Sequence, residues 1–266
     1  MNGASDLASL LGGRAEIVLL LAARFGGMMV LAPVFGARVL PPRVRLALAV
    51  LPALALLPGI RVSLAPLATG EVPAVAMLVM VLREALVGLA IGLAAQFAVA
   101  GAVLGAQIAG LQMGLGMANL IDPQTHDQVT TFAQWQQVVA VLLLLAVDGH
   151  HELLRVVAAS FSTLPLGAAW ISPAGALFAV TLARGCFTLA LEVAAPVLVI
   201  VLMVNAALGA LSKLVPQLNV MALGFGLNIG AGIFVLTLAQ PPTLRLLERS
   251  YAALGGELSR LVLRLS

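Results

Sequence analysis

Two groups of side chains in this sequence have the types and spacing to do chemistry. The first is Asp148-Gly149-His150-His151-Glu152, where two imidazoles and two carboxylates fall within five residues. Such groups bind transition metals, and a zinc protease places its histidines four apart on one helix face with a glutamate between. Here the histidines are adjacent, which on a helix turns them about 100° apart, and His126 is the one other histidine in the chain. The stretch reads as a solvated helix start, and no metal site is expected. The second group carries no charge until its end. Gln107, Gln112 and Asn119 are set among Gly105, Gly110, Gly114 and Gly116, with Ile108, Met113 and Met117 between them and Asp122-Pro123 closing the segment. Neutral amides and soft thioethers suit a path that must accept varied groups without trapping charge. The glycines admit either close helix packing or a backbone that unwinds and shifts. No Gly-x-Ser-x-Gly elbow, phosphate loop or dinucleotide fingerprint is present, so neither an enzyme nor a cofactor is expected.

The elements that must hold these residues are apolar. From Ala85 to Ile121 the chain runs 37 residues without a Lys, Arg, Asp or Glu. Polar groups left uncompensated in hydrocarbon cost several kcal/mol, so amides and glycines at that depth belong against protein or a water-lined route. Hydrophobic residues make up 62% of the sequence and charged ones 9%, against about a quarter charged in ordinary globular domains. This composition indicates an all-α integral membrane protein. The net charge of +3 comes from scattered arginines rather than a basic face, which argues against nucleic acid. Cys186 is the single cysteine, sits in an apolar run and is expected to serve packing. The first 16 residues lack the basic n-region and cleavage site of a secretory signal, so the first apolar stretch is expected to be a mature span.

Apolar stretches fall at 15–34, 44–58, 72–97, 98–121, 131–147, 174–211 and 218–239. About six spans are expected. The stretch 174–211 would extend about 57 Å against a hydrocarbon core of about 30 Å, so it must bend, project or fold as a hairpin, with Pro196 the kink site. Residues 243–266 alternate leucines with Arg245, Arg249, Arg260 and Arg264 and predict an amphipathic helix. Arg38, Arg43 and Arg45 favour a cytoplasmic loop, while Lys213 and the basic C-terminal helix vote inconsistently. Arg24, Arg83, Glu84, Arg184 and Glu192 lie inside apolar stretches, where lipid exposure costs about 2.5–3.5 kcal/mol each. Ion pairing between helices or between subunits is expected for them. Small residues four apart at Gly88/Gly92, Gly101/Gly105, Gly110/Gly114 and Gly226/Gly230 predict close helix contacts.

Four segments in order carry a resemblance: Ala32 to Ala49, Gly110 to Pro123, Asp148 to Gly167 and Leu208 to Gly232. Together they closely resemble the FliR family, the R subunit of the flagellar type III export gate. Two positions depart from the family pattern: Ile108-Ala109 stand where many relatives have an aromatic, and Gly226 where a proline is common after Gly-Phe. The resemblance implies a single export-gate membrane domain of kinked helical hairpins over residues 1–266. A P-like region would cover 1–173 with a plug loop at 105–122, and a Q-like hairpin with the amphipathic helix would cover 174–266. It implies partners: the P and Q subunits of the gate, the A and B subunits of the export apparatus, the basal-body MS ring, and exported flagellar proteins as cargo. Its setting would be the bacterial inner membrane, within the flagellar basal body. In that reading Gln107, Ile108, Gln112, Met113, Met117 and Asn119 constrict the path and Asp122 ends the loop. From the residues alone, a secondary transporter or small-solute channel built on a broken helix is the alternative.

Overall fold

Helices begin and stop in this chain where capping groups and proline dictate. The computed structural model describes residues 3–36, 41–57, 73–117, 129–167, 173–215 and 219–265, with no strand among them. Helix α1 is Gly3–Leu31 and α2 is Pro42–Leu56, which has a proline in its first turn, where no amide donor is needed. Helix α3, Ala74–Met113, is followed by a 3₁₀ turn, Leu115–Met117. Helix α4, Thr131–Ala146, starts on Thr130, whose hydroxyl accepts from the Ala133 amide at 3.3 Å. It stops at Asp148, which adopts a left-handed backbone (φ 55°) before α5, Gly149–Thr163. The long helices α6, Pro173–Leu214, and α7, Val220–Leu265, complete the chain.

Among the described residues three helices are long and apolar enough to cross a membrane, over Ala74–Met113, Pro173–Leu214 and Ala222–Leu265; α4 with α5 makes a fourth if the pair is one broken span. The apolar stretches in the sequence are thus divided differently in space. Residues 74–97 and 98–113 of two of these stretches share α3, because no proline or charge interrupts the run between them. The 174–211 stretch is one uninterrupted helix containing Pro196 and not a hairpin. The predicted amphipathic segment continues the last apolar stretch as α7, through Pro241 and Pro242, with Leu247, Leu254, Leu258 and Leu261 buried and all four arginines exposed. The 40 residues of α3 extend about 60 Å, roughly twice a hydrocarbon core.

The chain forms two units. The first comprises Met1–Gln96, Asp148–Leu182 and Ala253–Ser266. Here α1 buries Leu20, Leu21, Phe25, Met28 and Met29, while α3 buries Val87, Ile91 and Ala95, both at helical spacing. Their backbones run nearly in contact. A Cβ on Gly27 would overlap the Ala85 carbonyl, and one on Gly88 the Arg24 carbonyl, as close packing through small residues requires. Arg24 and Glu84 lie on this seam, both fully buried. Arg24 Nε donates to Glu84 Oε2 at 2.6 Å, Nη1 to Ser160 Oγ at 2.8 Å and Nη2 to the Leu164 carbonyl at 3.0 Å. The Ser160 hydroxyl in turn donates to the Val157 carbonyl at 2.6 Å, and Glu84 Oε1 accepts from the Gly167 amide at 2.9 Å. The guanidinium also stacks 4.2 Å from the centre of the Phe161 ring.

The second unit comprises Phe97–Val147 and Ala183–Ala252. The far half of α3 approaches α6 at Gly101, against the Cys186 carbonyl and Leu189, and at Gly105, against the Ala190 carbonyl and Val193. Ala109, Met113, Val197 and Val201 form its core beside Phe132 and Leu236. Tyr251 ties α7 to α4 by donating to the Ala140 carbonyl at 3.2 Å.

Removing one member of a buried ion pair strands the other, at about 3–5 kcal/mol, whereas replacing both with apolar groups is far milder. Arg24→Met and Glu84→Leu are therefore expected each to destabilise more than the double variant Arg24→Met/Glu84→Leu. The midpoint of denaturant unfolding of the detergent-solubilised chain measures this, and a double variant weaker than either single one contradicts it.

Candidate functional site

The uncharged amide and glycine segment occupies the end of α3. Gln107, half-buried, caps the neighbouring helix: its Oε1 accepts from the Thr130 amide at 2.8 Å and from the Thr130 hydroxyl at 3.1 Å. Thr130 thereby links α3 to the first turn of α4. Gly110 lies directly against the Thr130 side chain, where a Cβ would collide at 2.6 Å with Oγ1. One turn on, the residues separate by role. Met113 is 1% exposed and fills the core with Ala109, Val197 and Val201, so it points into this chain's own packing. Gln112 beside it is exposed, and Ile108 is half-buried.

Gly114 ends α3. Its φ of +92° is open to glycine and strained for other residues, and a Cβ there would lie 3.0 Å from Phe225 Cε2 on α7. The chain then tightens into the 3₁₀ turn that contains Gly116 and Met117. Asn119 and Asp122 lie outside the described residues. Around the helix end, Gln112, Gly114, Asn205, Leu208, Phe225 and Asn228 line an open cleft of about 350 Å³. Asn228 Nδ2 donates to Asn205 Oδ1 at 3.0 Å across the α6/α7 pair, while its own Oδ1 is shielded from solvent and unpartnered. The cleft therefore offers amide acceptors and donors beside an aromatic ring and holds no charged side chain.

Sequence reasoning singled out the amides on α3 and passed over Thr130, Asn205, Phe225 and Asn228. The signal for the two asparagines was available. Each is an uncharged amide inside an apolar stretch, the same anomaly that marks Gln107. The partners of Gln107 and Gly114 leave no such trace, because they depend on which helices meet.

Among the charges in apolar stretches, Arg24 and Glu84 come together as described above. Arg83 is half-buried on α3. Arg184 and Glu192 are exposed two turns apart on α6, and neither forms an ion pair among the described residues. In the first unit the adjacent His150 and His151 rings tilt together to 4.1 Å between centroids. Asp148, His150 and His151 present ligand-type atoms within 4.8 Å of one another, with His151 Nδ1 3.2 Å from Asp148 Oδ1, and Asp148 and His151 are exposed.

Long apolar helices around an uncharged, glycine-rich helix end define a membrane protein. Comparison with known proteins agrees in class: residues 15–254 match the bacterial export proteins, family 1. The flagellar biosynthetic protein FliR of Pectobacterium carotovorum subsp. carotovorum is 32% identical over 211 residues, covering 79% of this chain and 78% of that protein. FliR of Escherichia coli (strain K12) is 31% identical over 213 residues, with the same two coverages. FliR of Bacillus subtilis (strain 168) is 32% identical over 162 residues, covering 60% and 62%. The chain belongs to this export family and, within it, to the FliR proteins of the flagellar export apparatus.

Gly114→Val places a β-branched residue at positive φ, a genuine backbone outlier. Swimming in soft agar is expected to fall to a small fraction of wild type. Adding Phe225→Ala relieves the ring contact but not the backbone strain, so it is expected not to restore motility. Full recovery in the double variant would assign the defect to the ring alone.

Proposed function

We propose that this chain is the R subunit of the flagellar type III export gate. It assembles in the bacterial inner membrane with the P and Q subunits around a conduit for unfolded flagellar proteins, beside the A and B subunits and the MS ring. Residues 1–173 act as the P-like part and 174–266 as the Q-like part. The turn following α3 belongs to the plug that closes the conduit at rest.

The observation that carries this reading is the end of α3. A helix with no charge from Ala85 onward stops at a glycine with positive φ, beside an open amide-lined cleft. Gln107 and Met113 anchor that end to the chain's own core and Leu115 packs against it, leaving the exposed Gln112 open to meet cargo. Anchored base and adjustable tip are what a plug needs, since it must reseat after each passage. The exposed Arg184 and Glu192 add support: against lipid each costs about 2.5–3.5 kcal/mol, and a neighbouring subunit with complementary groups removes that cost.

A photocrosslinker at Gln112 is expected to capture a stalled export substrate, while one at the buried Leu247 captures none. Deleting Leu115–Met117 is expected to raise resting permeability to small ions. Binding of a solute without cargo contact at Gln112 would instead favour a transporter. Neither contact nor leak would leave a scaffold.

A further inference from the structure

We propose that the first unit carries a binding site for an anionic phospholipid, where the start of α6 meets the end of α7. Phe178, Arg260, Leu263 and Arg264 line a cleft of about 540 Å³ whose surface is mostly apolar. Arg260 and Arg264 are one helical turn apart on the same face of α7, both exposed. The Arg264 guanidinium lies 5.8 Å from the Phe178 ring centre, which holds it over the apolar floor. Arg260 forms no ion pair with a described residue, and Glu257, one turn earlier and exposed, does not reach it.

The surroundings distinguish this cleft from a solvated charged face. Leu263 is 59% exposed between the two arginines, and Leu177, beside Phe178, is 70% exposed. Water solvates guanidinium groups well but leaves these leucines unfavourably wet. A phospholipid with net negative charge satisfies both. Its phosphate bridges Arg260 and Arg264 with charge-assisted hydrogen bonds, and its first acyl carbons cover Phe178 and Leu263. A zwitterionic lipid has the same tails but brings its own cation to the phosphate. A free phosphate meets the charges alone.

The test uses the full-length chain in neutral detergent, titrated with phosphatidylglycerol or phosphatidylcholine and with bound lipid counted by native mass spectrometry. Phosphatidylglycerol is expected to be retained over phosphatidylcholine. Each arginine near an anionic surface contributes about fivefold in binding, so Arg260→Gln is expected to lower retention by about that factor and Arg260→Gln/Arg264→Gln by about 25-fold. The control Arg245→Gln/Arg249→Gln, on the same helix but outside the cleft, is expected to leave it unchanged. Leu263→Gln, which keeps both charges, is expected to weaken lipid retention and supplies a second reading if the double arginine variant fails to fold. The proposal is overturned by equal retention of the two lipids, by an equal loss in the control, or by inorganic phosphate displacing the lipid at equimolar concentration. It is also overturned if an acidic peptide such as oligoglutamate binds the cleft more tightly than phosphatidylglycerol.

Discussion

The buried pairing of Arg24 with Glu84 is the constraint around which the first unit is arranged. Two full charges sit in an apolar interior, where each alone is intolerable, so every remaining donor and acceptor must find a partner. Those partners are Ser160, the Leu164 carbonyl and the Gly167 amide, which come from α5 and the turn after it. One ion pair thus fixes three separated pieces of chain in register. Hydrophobic contacts between the same helices tolerate sliding by a turn, whereas this network does not. The glycines on α1 and α3 serve the same end, since only their absent side chains let the two backbones come close enough for the pair to form.

The second unit uses neutral groups for a related purpose. Gln107 takes the place of a backbone carbonyl at the start of α4, accepting from both the amide and the hydroxyl of Thr130. The same hydroxyl then caps the Ala133 amide. A polar residue deep in an apolar run is thereby satisfied within the fold. Its helix is held in register until Gly114, two turns on, where a positive φ turns the chain out of the helix.

Much of this was legible in the sequence. Hydrophobic content and uncharged run length gave the membrane class, and the order of motifs gave the family. Arg24 and Glu84 announced themselves as charges where none belong, and the glycine spacings on α3 marked real seams at Gly88 and Gly105. Other features were illegible for physical reasons. Hydropathy registers where lipid tolerates a helix, not where a helix stops, so it split α3 in two and left a bend, a projection and a hairpin all open for 174–211, which is one helix. Met113 and Gln112 look equally suited to a path, yet as neighbours on a helix they point about 100° apart, and only the position of α6 decides which one is buried. The Gly226/Gly230 pair has the same spacing as the others, and no described residue comes within 4 Å of where its side chains would be.

Helices of 40 residues and more have a bearing on how this protein can be handled once extracted. A detergent micelle, like a bilayer, shields a belt of fixed height, and α3, α6 and α7 carry nonpolar side chains over a greater length than that belt covers. Leu177 and Phe234 are two such residues, each about two-thirds exposed or more. Some of this greasy surface remains uncovered in any amphiphile of ordinary size. Isolated copies are then sticky by construction, and a monodisperse preparation requires something that covers this surface.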